Sequence, residues 1–208
     1  LWQFVAPKAY AVDDFSTYYP TEKKANDGYV QSFGDSPLDD FNVAENAYIH
    51  VLNSAKDYVW IATPYLILDS TMVNALVLAS QSGVDVRLIT PSIPDKKIVF
   101  SLTQSNYVKL LANGIRIFEY VPGFIHSKMF VSDDKRAIVG TTNMDFRSFF
   151  LHFESGSVFY GGSAVQSVKS DFEDTFELCR EVTLEDARKR SLLMKLMGQV
   201  AKLIAPLL

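Results

Sequence analysis

The chain has 208 residues, of which 48% are hydrophobic and 21% are charged, proportions typical of a globular domain with a sizeable core. Its formal net charge of −4 weighs against a general nucleic-acid binder and makes nucleic acid an unlikely partner. A single cysteine, Cys179, excludes a disulfide framework within the chain and is expected in a helix, and no stretch approaches the ~20 apolar residues of a membrane-spanning helix.

The predicted elements alternate between helices and strands after a first segment, 1–40, that we interpret as a short helical remnant and a linker. Apolar residues at helical spacing predict helices over 41–55, 71–82, 96–113 and 164–180. Runs rich in apolar and β-branched residues predict strands over 58–62, 84–90, 115–120 and 156–160. Strands separated by helices indicate an α/β fold in which a mixed β-sheet is flanked by helices on both faces.

A β-hairpin is predicted between the third and fourth of these strands. Residues 124–131 and 137–140 are rich in β-branched and aromatic side chains, and the polar residues 132–135 form the turn between them. Because residues two apart in a strand lie on the same face, His126 and Lys128 are expected to project side by side.

The polar residues of this region are of the types that handle phosphate. They are His126, Lys128, Asp133, Gly140, Thr141 and Asn143. Histidine can act as a nucleophile or base, lysine is a point charge, glycine lets the backbone approach a ligand, and hydroxyl and carboxamide groups donate to phosphate oxygens. Each residue alone has an ordinary structural interpretation, but chance rarely produces the whole spacing. We therefore predict a catalytic site in which Lys128, Thr141 and Asn143 bind the phosphate.

This spacing resembles the His-Lys-Asp signature of the phospholipase D superfamily. His126-x-Lys128 is followed by Asp133 and then by Gly140-Thr141-Thr142-Asn143. The surrounding segments resemble the C-terminal half of bacterial cardiolipin synthases, and they are 60–65, 83–87, 119–126 and 143–149. The resemblance runs from about residue 42 to the end of the chain. Thr141 departs from it, since the family usually has serine there, but the hydroxyl is kept and its donor role is expected to survive.

The resemblance implies a mechanism that uses two histidines and needs no metal or other cofactor. One histidine attacks phosphorus and forms a phosphohistidine, while the other protonates the departing alcohol and deprotonates the incoming one. Lys128 and Asn143 would hold the phosphoryl oxygens, and Glu154 would orient the histidine ring and fix its tautomer. Asp133 is expected to support its loop rather than touch substrate. Whether His126 is the nucleophile or the acid stays open.

The signature occurs once, so the second histidine has to come from elsewhere. Neither His50 nor His152 repeats the pattern. His50 falls on a predicted amphipathic helix and is expected to be structural. His152 lies close to the signature, and we expect it to be structural, with a supporting role beside the site as the alternative. The partner is then a second half in the parent chain or a second copy of this chain by homodimerisation.

The resemblance also implies three segments in a piece of a longer protein. Residues 1–40 would be the remnant and linker after a preceding half, 41–182 the phospholipase D-like catalytic domain, and 183–208 a C-terminal amphipathic helix. The last segment combines an apolar stripe with basic residues, a pattern that can lie on an anionic membrane surface or pack on the protein. We expect the parent protein at the bacterial cell membrane, with the active site on a soluble domain.

Three functions remain open at this stage. The first is a phosphatidyltransferase half-domain that helps to make cardiolipin and glycerol from two phosphatidylglycerol molecules. The second is a homodimeric hydrolase of phosphodiesters in lipid or nucleic acid, because the signature itself does not choose water over an alcohol. The third is a phosphate-binding half without activity.

Overall fold

The computed structural model describes Ser16, Gly198 and residues 19–22, 25–38 and 40–190. The strands are β1 Tyr29–Asp35, β2 Tyr58–Ala62, β3 Asp85–Pro91, β4 Arg116–Tyr120, β5 Met129–Ser132, β6 Arg136–Gly140, β7 Glu154–Tyr160 and β8 Cys179–Val182. The helices are α1 Val43–Ser54, α2 Ser70–Gln81, α3 Lys97–Ser105, α4 Tyr107–Ala112, α5 Phe146–Phe150, α6 Gly162–Phe176 and α7 Leu184–Lys189.

All eight strands form one sheet in the order β1-β7-β6-β5-β2-β3-β4-β8. The pairs β2–β3 and β3–β4 are parallel, and the other neighbours are antiparallel. The parallel pairs are joined through helices, as connections between parallel strands require. The sheet is therefore mixed, as predicted.

The core lies on both faces of the sheet. Along β2, Val59 and Ile61 pack into one apolar cluster, while Trp60 and Ala62 pack into another. This alternation follows from the two-residue period of a strand, and it requires cover on each side. Helices α1, α2 and α4 contribute to the first cluster and α6 to the second, so the prediction of helices on both faces is confirmed.

Two strands were not predicted, and both lie at the edges of the sheet. Residues 29–35, which we interpreted as linker, form β1 and pair with β7 from Tyr29↔Tyr160 to Asp35↔Glu154. The helix predicted over 164–180 ends at Phe176, and residues 179–182 pair with β4 as β8. Cys179 therefore lies in a strand and not in a helix, and burial raises the pKa of its thiol to about 11.

The helix predicted over 96–113 consists of two shorter helices. Asn106 separates α3 from α4, and its Nδ2 donates to the carbonyl of Leu66 at 2.8 Å. Helix α5, which no apolar periodicity indicated, is capped by Asp145, whose carboxylate accepts from the Ser148 N–H at 2.7 Å.

The C-terminal part of the description ends shortly after α7. Thr183 and Asp186 form a capping box at the start of this helix, and Ala187 packs into the first apolar cluster. Most of the amphipathic helix predicted over 183–208 lies outside the described residues. Within the described part of the chain, no helix is both long and apolar enough to cross a membrane.

Candidate active site

Except for Asp133, the predicted site residues meet at one edge of the sheet, the edge that the ends of its central strands form. Strand β2 ends at Ala62, which pairs with Met129 at the start of β5, and Met129 in turn pairs with Val139 near the end of β6. Gly140 then pairs with Gly156 near the start of β7. The loops after β2 and β6 and the segments before β5 and β7 thus converge on this edge.

His126 and Lys128 lie in the extended segment just before β5 and not within the strand as predicted. The strand begins at Met129, where pairing with β2 and β6 starts. The ammonium of Lys128 donates to the backbone carbonyl of His126 at 2.7 Å, and the Lys128 carbonyl accepts from the Gly140 N–H at 3.2 Å. The bond within the signature therefore fixes the Lys128 side chain against the backbone of His126.

The imidazole of His126 is exposed, with the Phe124 ring 5.9 Å away between centroids. Partial burial and the charge of Lys128 lower the pKa of His126 below 6.5, while Asp95 opposes that shift. The neutral ring, which is the nucleophilic form, is favoured as a result.

Lys128 is a cation inside the protein. Its side chain is buried, and burial lowers the pKa of its ammonium, while the charges of Glu154 and Asp145 oppose the change. Both of these carboxylates are buried as well. The two carboxylates therefore favour the charged form of the buried Lys128 ammonium.

Thr141 and Glu154 are joined directly. The Thr141 hydroxyl donates to a Glu154 carboxylate oxygen and accepts from the Ser155 N–H at 3.0 Å. The other Glu154 oxygen lies 3.6 Å from Nδ1 of His152. Within the described residues these are the side-chain partners of Glu154, so the expected contact with the His126 ring is not made in this chain alone.

Gly140 is required by the packing of β7, a reason that the sequence did not indicate. A Cβ at this position would lie 2.6 Å from the Ser155 carbonyl oxygen and 2.9 Å from Cα of Gly156. The missing side chain therefore lets β7 approach β6.

Asn143 faces inward from the loop after β6. Its Nδ2 donates to the Ser148 hydroxyl at 3.1 Å, and its buried Oδ1 has no hydrogen-bond partner among the described residues. The preceding residue, Thr142, offers its carbonyl to the Tyr48 hydroxyl at 2.9 Å. The Asn143 side chain also hydrogen-bonds to the Asp145 carboxylate, so these contacts fix the loop and the orientation of the carboxamide.

Asp133 lies at the other end of the hairpin, away from His126. Its carboxylate accepts three backbone N–H bonds, from Lys56 at 2.8 Å and from Asp57 and Tyr58 at 2.9 Å each. Burial works against ionisation, but these bonds outweigh it and hold the pKa of Asp133 below its ordinary value. Its left-handed backbone, with φ of 54°, forms the turn between β5 and β6.

Two further side chains at the site edge were not predicted as site residues. The hydroxyl of Tyr65 donates to Asp95, and the Tyr65 ring lies 6.1 Å from that of Phe124. Tyr65 stands in a segment that carried the family resemblance, whereas nothing in the motif pointed to Asp95. His50, by contrast, lines a cavity of about 170 Å³ between α1 and the β1–β7–β6 side of the sheet, apart from the signature.

No group of three or more histidine, cysteine or carboxylate side chains in the described ranges is placed to hold a metal ion.

Several known proteins are similar to this chain in sequence. A family model described as "Cardiolipin synthase, PLD-like domain" matches residues 48–176. An uncharacterized protein of Streptococcus mutans serotype c is 49% identical over 181 residues, which cover 87% of this chain and 39% of that protein. Cardiolipin synthase 1 of Bacillus anthracis is 39% identical over 202 residues, covering 96% and 40%. The chain thus spans about two fifths of the length of these relatives.

Solved structures share the fold. Phosphatidylserine synthase of Haemophilus influenzae superposes with a TM-score of 0.71 at 15% identity, covering 86% of this chain and 48% of that chain. Nuc of Salmonella typhimurium, a phospholipase D family member, gives 0.63 at 19% identity, covering 75% of this chain and 99% of that chain.

Proposed function

Because the chain belongs to the cardiolipin synthase family of phospholipase D-like domains, we propose that it forms one half of a phosphatidyltransferase site. The reaction is the formation of cardiolipin and glycerol from two phosphatidylglycerol molecules. The observation that carries the proposal is that the exposed His126 and the buried Lys128 stand together in one short segment, where the Lys128 ammonium bonds to the His126 carbonyl.

In the first step the neutral His126 ring attacks the phosphorus of one phosphatidylglycerol. The N–P bond forms, the P–O bond to the glycerol headgroup breaks, and the departing oxygen takes a proton from a second histidine. In the second step the free hydroxyl of another phosphatidylglycerol loses its proton to that histidine and attacks the same phosphorus. The N–P bond breaks, cardiolipin leaves, and His126 is neutral again.

The remaining residues act on the phosphoryl oxygens or hold the groups that do. Lys128 stabilises the charge that develops on those oxygens, and the carboxamide NH₂ of Asn143 donates to them when substrate is bound. The charge of Glu154 keeps Lys128 protonated despite its burial. We propose that Glu154 orients the histidine ring once the site is assembled and substrate is bound. Asp133 contributes the fixed turn of the hairpin.

The second histidine comes from a second half-site, either in the parent chain or in a second copy of this chain. Relatives named cardiolipin synthase are more than twice as long as the matched region, which supports the first source. We place the parent protein at the bacterial cell membrane, since its substrate is a membrane lipid.

The test offers phosphatidylglycerol to the parent protein and to the 208-residue chain in parallel and reads the lipids by mass spectrometry. The parent is expected to make cardiolipin and glycerol, and His126→Ala to abolish this, while His50→Ala leaves it unchanged. Cardiolipin formation that survives His126→Ala would remove this residue from the mechanism. Release of phosphatidic acid by a dimer of the chain would favour the homodimeric hydrolase, and inert behaviour of the parent would favour a phosphate-binding half.

A further inference from the structure

The edge of the sheet that carries the site also carries a group of exposed aliphatic side chains. We define them as the edge patch: Ile93, Ile98, Val121 and Leu178, which are 51%, 49%, 53% and 50% exposed. Single exposed apolar residues are ordinary on a protein surface, but a contiguous group next to an active site indicates an interaction surface.

Backbone hydrogen bonds show that three members of the patch come from adjoining segments. The N–H of Ser92 donates to the Tyr120 carbonyl at 3.1 Å, which keeps the segment that carries Ile93 next to the segment that carries Val121. The N–H of Val121 donates to the Leu178 carbonyl at 3.1 Å, which adds Leu178 on the far side. These bonds continue the β3–β4–β8 order of the sheet beyond its edge, so the three segments form one surface.

The patch is tied to the reactive histidine. Val121 precedes His126 by five residues in the same segment, and Asp95, two residues after Ile93, bonds to the Tyr65 hydroxyl. The charge of Asp95 acts on His126. The exposed aliphatic side chains and the exposed imidazole therefore share the same end of the domain.

Charge indicates what binds there. Lys96 and Lys97 lie between Ile93 and Ile98, both side chains are exposed, and neither forms an ion pair among the described residues. The neighbouring carboxylate of Asp95 is already bonded to Tyr65 and to the Lys96 N–H. Aliphatic side chains flanked by free lysines match a membrane surface that contains anionic lipid.

We propose that the edge patch, with Lys96 and Lys97, docks the domain on an anionic lipid surface so that His126 meets phosphodiesters at headgroup depth. The inference rests on the proposed function, because it supplies the means by which the same site reaches a membrane-held substrate. The aliphatic side chains enter the boundary between headgroups and acyl chains, and the two ammonium groups bind headgroup phosphates.

The experiment is vesicle flotation with the 208-residue chain, using vesicles of equal phosphatidylglycerol and phosphatidylcholine and vesicles of phosphatidylcholine alone. Lys96→Gln with Lys97→Gln is expected to weaken binding to the anionic vesicles about 25-fold, from about fivefold per lysine. The matched control, Lys56→Gln with Lys109→Gln, removes the same charge from exposed positions near the opposite edge and is expected to have little effect.

The apolar part is tested in the same assay. Combined Ile93→Ser, Val121→Ser and Leu178→Ser is expected to weaken binding about tenfold or more, whereas Leu78→Ser, at a comparably exposed leucine of α2, is not. All variants keep the same C-terminal segment, so any contribution of that segment to vesicle binding is equal in each of them.

Three outcomes would overturn the proposal. They are binding unchanged by the patch variants, equal losses in patch and control variants, and a patch variant that dissociates an oligomer of the chain in lipid-free solution. The last result would mean that protein covers the patch. His126→Ala is expected to bind vesicles like the unmodified chain, so loss of docking and loss of the proposed chemistry are scored separately.

Discussion

The hydroxyl of Thr141 donates a hydrogen bond to the buried carboxylate of Glu154, thirteen residues further along the chain. A hydroxyl has a single proton, so this bond competes with the phosphate-donor role that the sequence predicts for Thr141. In the chain alone, the Thr141 hydroxyl is bonded to Glu154, and the charge of Glu154 favours the protonated form of Lys128. The three residues therefore form a connected group behind the reactive histidine.

Valine substitutions at Thr141 and at its neighbour Thr142 should have different effects on the free energy of unfolding. Thr141→Val removes the donor to a buried carboxylate and is expected to lower the free energy of unfolding by about 1–3 kcal/mol. Thr142→Val removes a buried hydroxyl oxygen that has no partner among the described residues, and it is expected to be neutral or stabilising. Urea denaturation of both variants measures the difference. Equal losses would mean that the Thr141–Glu154 bond contributes no particular stability.

Asp133 is expected to matter for stability and not for chemistry. Asp133→Asn should lower the free energy of unfolding by about 1–2 kcal/mol, because the carboxamide cannot accept all three N–H bonds with the strength of a carboxylate. Asp171→Asn, on the exposed face of α6, serves as the control.

The pH dependence of the Asp133 effect follows from the direction of its pKa. The folded-state pKa lies below the ordinary 3.8, so the ionised carboxylate stabilises the fold above that value. This contribution is lost as the pH falls below 3.8 and through the folded-state pKa. The stability gap between wild type and Asp133→Asn should therefore be full at neutral pH and close in acid. A gap that persists in acid would show that the loss does not come from the charged form.

The titration of His126 can be followed directly, because the chain has only three histidines. Its ring is expected to titrate below 6.5 in ¹H–¹³C NMR spectra, with His126→Ala identifying the resonance. Asp95→Asn removes a charge that favours the protonated ring and should lower this pKa further. Lys128→Met removes a charge that disfavours it and should raise the pKa. Shifts of the opposite sign would show that the two charges do not act on His126 as the structure implies.

His152 is expected to contribute little. Its Nδ1 lies 3.6 Å from Glu154 and its side chain is 43% exposed, so the pair requires a protonated ring and is screened by solvent. His152→Asn should change the free energy of unfolding by less than about 1 kcal/mol and leave most transferase activity of the parent protein. Glu154→Gln, which alters the buried partner, is expected to lose far more activity. A loss on His152→Asn as large as that on Glu154→Gln would give His152 a supporting role at the site.

The central part of the fold could be predicted because its strands are buried on both faces. Residues 58–62 were predicted within the observed bounds, since a strand such as β2 reads as a continuous apolar run. Edge strands give no such run. In β1 most side chains are exposed, and its pairing with β7 joins residues more than a hundred positions apart, so no local pattern identifies it.

The sequence predicts which residues belong to the site but not the contacts that they make. The motif spacing located His126 and Lys128, but it did not show that the Lys128 ammonium bonds to the His126 carbonyl. The requirement for glycine at Gly140 depends on its distance to β7, which is a tertiary contact. Asp95 reaches the site through a loop after β3, and a single aspartate in a loop carries no motif.

The buried carboxylate of Glu119 sets a minimum length for any shortened version of this domain. It accepts from Arg180 at 2.7 Å and from Arg190 at 3.2 Å, and the Arg190 guanidinium also lies 4.5 Å above the buried Tyr107 ring. A chain cut after residue 182, where the sequence places the end of the catalytic domain, would lose Arg190 and leave the buried Glu119 with an exposed arginine as its one cationic partner among the described residues. Expression trials should therefore place the stop codon beyond residue 190.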